Sequence, residues 1–161
     1  MGFKNRYGRI FNSVKYIKYL DLPSVPEHLL DPVDDIINQY NEKMLVREFA
    51  HFQYRTINKN LDEWVHSIFK MKCYAKYQVI YNGIPIHKDN PAFPGDRKIA
   101  FNYVLDTGGD SVITSVYDDN KILLQSECIP LKTWHSLVVE KYHGVEGIKT
   151  VRVALTVTPI L

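Results

Sequence analysis

The chain has 161 residues, of which 45% are hydrophobic and 24% charged, the proportions of one soluble globular domain with its own core. A net charge of +2 does not call for a nucleic-acid partner, and no run approaches the ~18 apolar residues of a membrane span. Cys73 and Cys128 lie far apart and match no metal or redox spacing, so both read as reduced, partly buried thiols of a cytoplasmic protein.

The N-terminus lacks a signal-peptide apolar region, and Arg6 stands where a myristoylation signal wants Ser or Thr. Lys4, Arg6, Arg9, Lys15 and Lys18 make this end mildly basic, which a solvated face explains. Residues 1–22 predict one or two short strands around Val14, Tyr16 and Ile17, closed by the breaker "DLPSVP". In "PEHLLDPVDDIINQYNEKM" the residues Leu29, Leu30, Val33, Ile36, Ile37 and Tyr40 recur at helical spacing, with Pro32 near the start where a helix tolerates it. "LDEWVHSIF" repeats the pattern, with Asn60 as its predicted N-cap.

From residue 72 the character changes. "YAKYQVIYN", "KIAFNYVLD", "SVITSVYDD", "KILLQSE", "HSLVVEKY" and "VRVALTVTP" are rich in Val, Ile, Tyr and Thr, as strands are. Turn signals separate them at Asn82-Gly83, Pro94-Gly95, Gly108-Gly109-Asp110, Asp118-Asp119-Asn120 and Gly144 to Gly147. Strands at this spacing without intervening helices predict an antiparallel sandwich or barrel. The organisation expected is a single domain over 1–161, with helical support and outer strands in 1–71 and a β core in 72–161.

Two features carry chemistry. In "IHKDNP", His87 and Asp89 are two apart at the end of a strand-like run, so they face the same way and can share a metal; a solvated pair at a turn has the same spacing. Later, Arg152 is embedded in the apolar run "TVRVALTV". A guanidinium buried there needs an anion, either an internal carboxylate or a bound acid. Two His and one carboxylate with open positions suit Fe(II) and O₂ chemistry.

The stretches "HKDNP…DRKIAFNYVLD" and "HGVEGIKTVRVALTV" resemble the two halves of the site in Fe(II)/2-oxoglutarate-dependent oxygenases, in particular the prolyl-hydroxylase-like branch and small versions from bacteriophage genomes. The resemblance covers roughly residues 74–158. It implies a double-stranded β-helix, or jelly roll, with a supporting N-terminal helical layer. It implies Fe(II), O₂ and 2-oxoglutarate as cofactors and cosubstrates, and hydroxylation of a substrate with release of succinate and CO₂. Carried over by position, His87, Asp89 and His143 are the iron ligands, and Arg152 pairs with the distal carboxylate of 2-oxoglutarate. His135 also precedes the arginine, but the family's spacing favours His143. His28, His51 and His66 fall in the helical part, where core or surface roles suit them.

One departure is visible. Many relatives carry a hydroxyl residue two positions after the arginine, where this chain has Ala154. A second donor to the cosubstrate must come from elsewhere, and Tyr77 or Tyr81 upstream of His87 is the expectation. Asn102 alternates with Ala100 and Val104, away from Phe101 and Tyr103, and is a further candidate for cosubstrate or substrate contact. The substrate, a peptide or small molecule, is not legible. A jelly-roll binding module and another cupin-type metal enzyme remain alternatives from other functional classes.

Overall fold

Alternating and two-sided apolar runs dominate the second half of the chain, and they form strands. The computed structural model describes residues 14–39, 52–89 and 98–160. Lys4, Arg6, Arg9, His51, the Pro94-Gly95 turn and the helical pattern beyond Gln39 lie outside the described residues. The strands are β1 (Ile17–Tyr19), β2 (Phe52–Arg55), β3 (Cys73–Ile80), β4 (Ile84–His87) and β5 (Ile99–Asp106), then β6 (Ile113–Tyr117), β7 (Leu123–Glu127), β8 (Trp134–Val138), β9 (Tyr142–Glu146) and β10 (Arg152–Pro159). They build a larger sheet in the order β1-β8-β5-β10-β3-β2 and a smaller one in the order β4-β9-β6-β7, with every neighbour antiparallel.

Counting β3 to β10 as strands 1 to 8, the sheets run 1-8-3-6 and 2-7-4-5. That order is a jelly roll, in which two Greek keys wrap consecutive strands onto alternate sheets. β1 and β2 extend the larger sheet at its two ends.

The larger sheet is covered on both faces. Outside it lie α1 (Val33–Asn38), α2 (Lys59–Phe69) and the segment before them. Leu61, Val65 and Phe69 of α2 bury one stripe, together with Ile36 of α1, against Tyr77, Val79, Tyr103, Trp134, Leu155 and Val157. Complete burial of a Leu or Val contributes about 1.5–3 kcal/mol, so this layer holds the sheet rather than decorating it. The second core, between the sheets, joins Ala100, Val104, Leu137 and Val139 to Val116 of the smaller sheet. This two-sided cover explains why β10 reads as an almost unbroken apolar run.

The structure alters several expectations. The helical pattern from Pro26 divides into a 3₁₀ turn at Glu27–Leu29 and the short α1, because Pro32, with ψ near 139°, stands outside the helix as its N-cap. The cap of α2 is Asn58, whose Oδ1 accepts from the Leu61 amide at 2.9 Å, not Asn60, which lies inside the first turn. Gly144 sits within β9 instead of a turn, while Gly83 and Gly147 do turn the chain at positive φ. Cys73 is buried as expected, but Cys128 is exposed. Among the described residues no helix is long and apolar enough to cross a membrane.

Candidate metal centre

β4 and β9 are neighbours in the smaller sheet, with His87 directly opposite His143. The two rings stand 4.4 Å apart between centroids. Asp89, just past the end of β4, is tied to the sandwich by its amide, which donates to the Val139 carbonyl at 3.2 Å. Its Oδ1 then lies 3.4 Å from His87 Nε2 and 3.3 Å from His143 Nε2. One ligand atom from each of the three residues falls within 4.8 Å of the other two.

The tautomers fit a cation. His87 Nδ1 donates to the Pro85 carbonyl at 2.8 Å, and His143 Nδ1 donates to the Lys141 carbonyl at 2.8 Å. A carbonyl only accepts, so each Nδ1 carries hydrogen. In the neutral imidazoles Nε2 therefore presents a lone pair toward the Asp89 carboxylate, and three lone-pair donors converging on one point are satisfied by a metal ion. Lys88, between the two β4-side residues in sequence, points the other way. Its ammonium bonds Asp119 at 2.8 Å and lies over the Tyr142 ring, which anchors this strand end to the β6–β7 turn.

The cluster opens into a cavity between the sheets. Arg152 and Ala154 of β10, Asn102 of β5, His135 of β8, Gln78 of β3 and Thr114 of β6 line it with the three residues above. Arg152 is only 4% exposed and its Nη1 has no hydrogen-bond partner. Burial lowers its pKa to about 10, which still leaves it a cation at neutral pH. Asp89 is the only carboxylate among the described residues lining the cavity. Among the described residues Arg152 forms no ion pair, so of the two matches open to a buried arginine a bound acid fits.

Thus the structure brings His87, Asp89, His143, Arg152 and Asn102 to one cavity, and it does not bring Tyr77 or Tyr81. This corrects the expected second donor. On β3 the residues facing inward are Gln78 and Ile80, in register with Ala154 and Arg152, so Tyr77 points to the helical side. There its hydroxyl donates to Asp31 Oδ2 at 3.0 Å and accepts from the Asp31 amide at 3.1 Å, and burial raises its pKa. Tyr81 packs against the same helical core, and its hydroxyl accepts from Arg55 at 3.4 Å. His66 likewise serves structure, its ring nitrogens lying 2.8 and 3.0 Å from the carbonyls of Asp62 and Cys73.

Gln78, Thr114 and Tyr54 of β2 also line the cavity and escaped the sequence reading. Gln78 and Thr114 share strand parity with Ile80 and Val116, but which parity faces inward is set by the packing of the sheets. Tyr54 gave no such signal, because β2 carries no strand signature long enough to read. His135, set aside as a polar residue at a strand start, is 1% exposed and faces the cavity. Burial first, and the nearby Arg152 guanidinium second, lower its pKa to about 4.

No protein-family model matches the sequence, and no curated protein is similar to it. Solved structures share part of the architecture. A 2OG-Fe(II) oxygenase family oxidoreductase from Burkholderia pseudomallei is 14% identical with a TM-score of 0.44, over 63% of this chain and 51% of that one. AviO1 from Streptomyces viridochromogenes Tue57 is 11% identical with a TM-score of 0.41, over 63% of this chain and 57% of its own. An RmlC-like cupin protein from Desulfovibrio desulfuricans is 14% identical with a TM-score of 0.38, over 76% of this chain and 99% of that one. The chain spans just over half the length of the first two. At such identities the activities in those names stay with those proteins, and the candidate site here stands on its own geometry.

Proposed function

We propose that this chain is an Fe(II)- and 2-oxoglutarate-dependent oxygenase of the prolyl-hydroxylase-like branch, hydroxylating a peptide or small-molecule substrate with release of succinate and CO₂. One observation carries the reading: the buried Arg152, with an unpartnered Nη1, shares a cavity with the His87–Asp89–His143 cluster. A metal cluster alone suits any cupin-type enzyme or binding module. An arginine in the same cavity does nothing for a cation and favours an anion, which points to an acid reaching from the cluster to the guanidinium.

In this reading His87 and His143 hold iron through Nε2 and Asp89 through a carboxylate oxygen, leaving room for a 2-oxo acid and for O₂. Bound iron supplies oxygen activation coupled to decarboxylation of the 2-oxo acid. The chain's own part is positional. The Pro85 and Lys141 carbonyls fix the two imidazoles, Arg152 receives the remote carboxylate, and Leu137, Val139 and Val145 make an apolar wall that limits water.

The test is anaerobic titration of the Fe(II)-loaded protein with 2-oxoglutarate. A weak visible charge-transfer band is expected, followed in air by succinate release when peptides, free amino acids and nucleic acids are screened as substrates. Iron binding with neither band nor succinate would assign the chain to the cupin-type alternatives.

A further inference from the structure

The three ligand candidates are brought together where the β-ladder is weakest. β4 ends at His87, and its pairing with β9 is irregular between Ile84 and His87, so Asp89 already lies beyond the strand. The cluster does not hold itself together either. With both imidazoles neutral, two Nε2 lone pairs face one carboxylate oxygen at 3.4 and 3.3 Å, and without a cation they repel it.

The opposite face of the sheet supplies a tie. His87 and Asp89 line the cavity, whereas Lys88 between them is exposed on the outside. Lys88 Nζ bonds Asp119 at 2.8 Å and lies 4.6 Å from the centroid of the Tyr142 ring. Asp119 belongs to the turn between β6 and β7, and Tyr142 is the residue before His143 on β9. Lys121 of the same turn lies over the same ring at 5.3 Å. One ammonium therefore links three elements directly behind the cluster. Each of the three ligand candidates is the sequence neighbour of a residue in that link.

We propose that Lys88 is a positioning residue for the metal centre, holding the end of β4 through Tyr142 and Asp119 so that His87, Asp89 and His143 converge. The inference rests on the reading of that cluster as a metal site. An exposed ion pair adds little to the stability of the whole fold. At a strand end outside the ladder, where opening is cheap, the same small interaction decides how much of the protein is ready for metal. The apparent affinity falls in proportion to that ready fraction.

The test is calorimetric titration of the metal-free protein with Mn(II), paired with its melting temperature. The proteins compared are wild type, Lys88→Met, Lys88→Arg, Asp119→Asn and the double variant Lys88→Met/Asp119→Asn. Lys88→Met should weaken Mn(II) about 3- to 10-fold, less than the ~10–100-fold of a group bonded directly to a ligand. Lys88→Arg should recover most of this, because a guanidinium also pairs with a carboxylate and stacks on an aromatic ring. The double variant should bind no more weakly than Lys88→Met, since both changes break one link. Melting temperatures should stay within about 3 °C of wild type, the scale of an exposed pair in a chain of this size. With wild type binding Mn(II), full affinity in Lys88→Met, no recovery in Lys88→Arg, or losses that add in the double variant overturns the role of Lys88. A larger fall in melting temperature in step with affinity makes it a general structural residue and also overturns the proposal. Wild type that fails to bind Mn(II) overturns the reading of the cluster itself, and the inference with it.

Discussion

His87 and His143 each donate from Nδ1 to the carbonyl two residues back along the chain, and this local bond turns Nε2 toward Asp89. A ligand oriented in this way is hard to replace. Asp89→Ala or His143→Ala should weaken Fe(II) or Mn(II) at least about 100-fold, since even loss of an outer-sphere partner costs about 10–100-fold. His135→Leu should leave metal affinity intact, and calorimetry on the three proteins checks the assignment. Arg152 poses the opposite case, a buried charge without an ion pair among the described residues, whose removal should relieve the empty protein. Replacing buried charge with apolar volume is neutral or stabilising by about 1–4 kcal/mol, so Arg152→Leu should melt at the same temperature or higher. Its affinity for 2-oxoglutarate should fall about 30- to 1,000-fold while metal binding persists, as expected when a buried charge pair loses one partner. Should the variant unfold instead, the arginine is structural and the 2-oxo acid reading loses its support.

The elements that carry the site depend on a close approach between β4 and β9. A Cβ built on Gly144 would stand 2.9 Å from the Ile84 carbonyl oxygen, so no larger residue fits without moving the strand that bears His87. Gly144→Val should therefore weaken metal binding more than it lowers the melting temperature, because α2 and the larger sheet are untouched; equal melting and full metal affinity would show that β4 can yield. Asn58→Ala removes the cap of α2 and the bond from its Nδ2 to the Leu29 carbonyl at 2.8 Å, and should cost about 2 kcal/mol in urea unfolding without altering metal affinity.

For the whole molecule, His135 couples stability to pH. Its pKa is lowered to about 4 from an ordinary value of 6.5, so between those values the unfolded chain binds the proton and the folded one does not. Stability is complete above pH 6.5 and is lost as pH falls toward 4, by about 3 kcal/mol if the full shift is expressed. Urea unfolding of the metal-free protein at pH 7, 5.5 and 4.5 should show this slope, and His135→Leu should flatten it. A variant with the wild-type slope would mean that the loss belongs to other groups.

The β core and the antiparallel sandwich were legible in the sequence, because each leaves a local trace. Period-two and two-sided apolar runs mark strands, turn residues punctuate them, and a charged residue in an apolar run stands out, whereas the H-x-D pair gained its weight, and His143 its place, from the resemblance to the oxygenase family. What only the tertiary structure decided was which face of a strand meets which layer. Tyr77 and Gln78 are neighbours, and nothing local says which looks inward; the register of β3 against β10, in which Ala154 opposes Gln78, sends the tyrosine to the helices. The same dependence hid His135, an ordinary histidine beside Trp134 until β8 is laid against β5 and its ring falls into the cavity of Arg152. Strand propensity is a property of a few consecutive side chains, whereas this cavity is made where eight strands, many far apart in sequence, bring one residue in two to a common side.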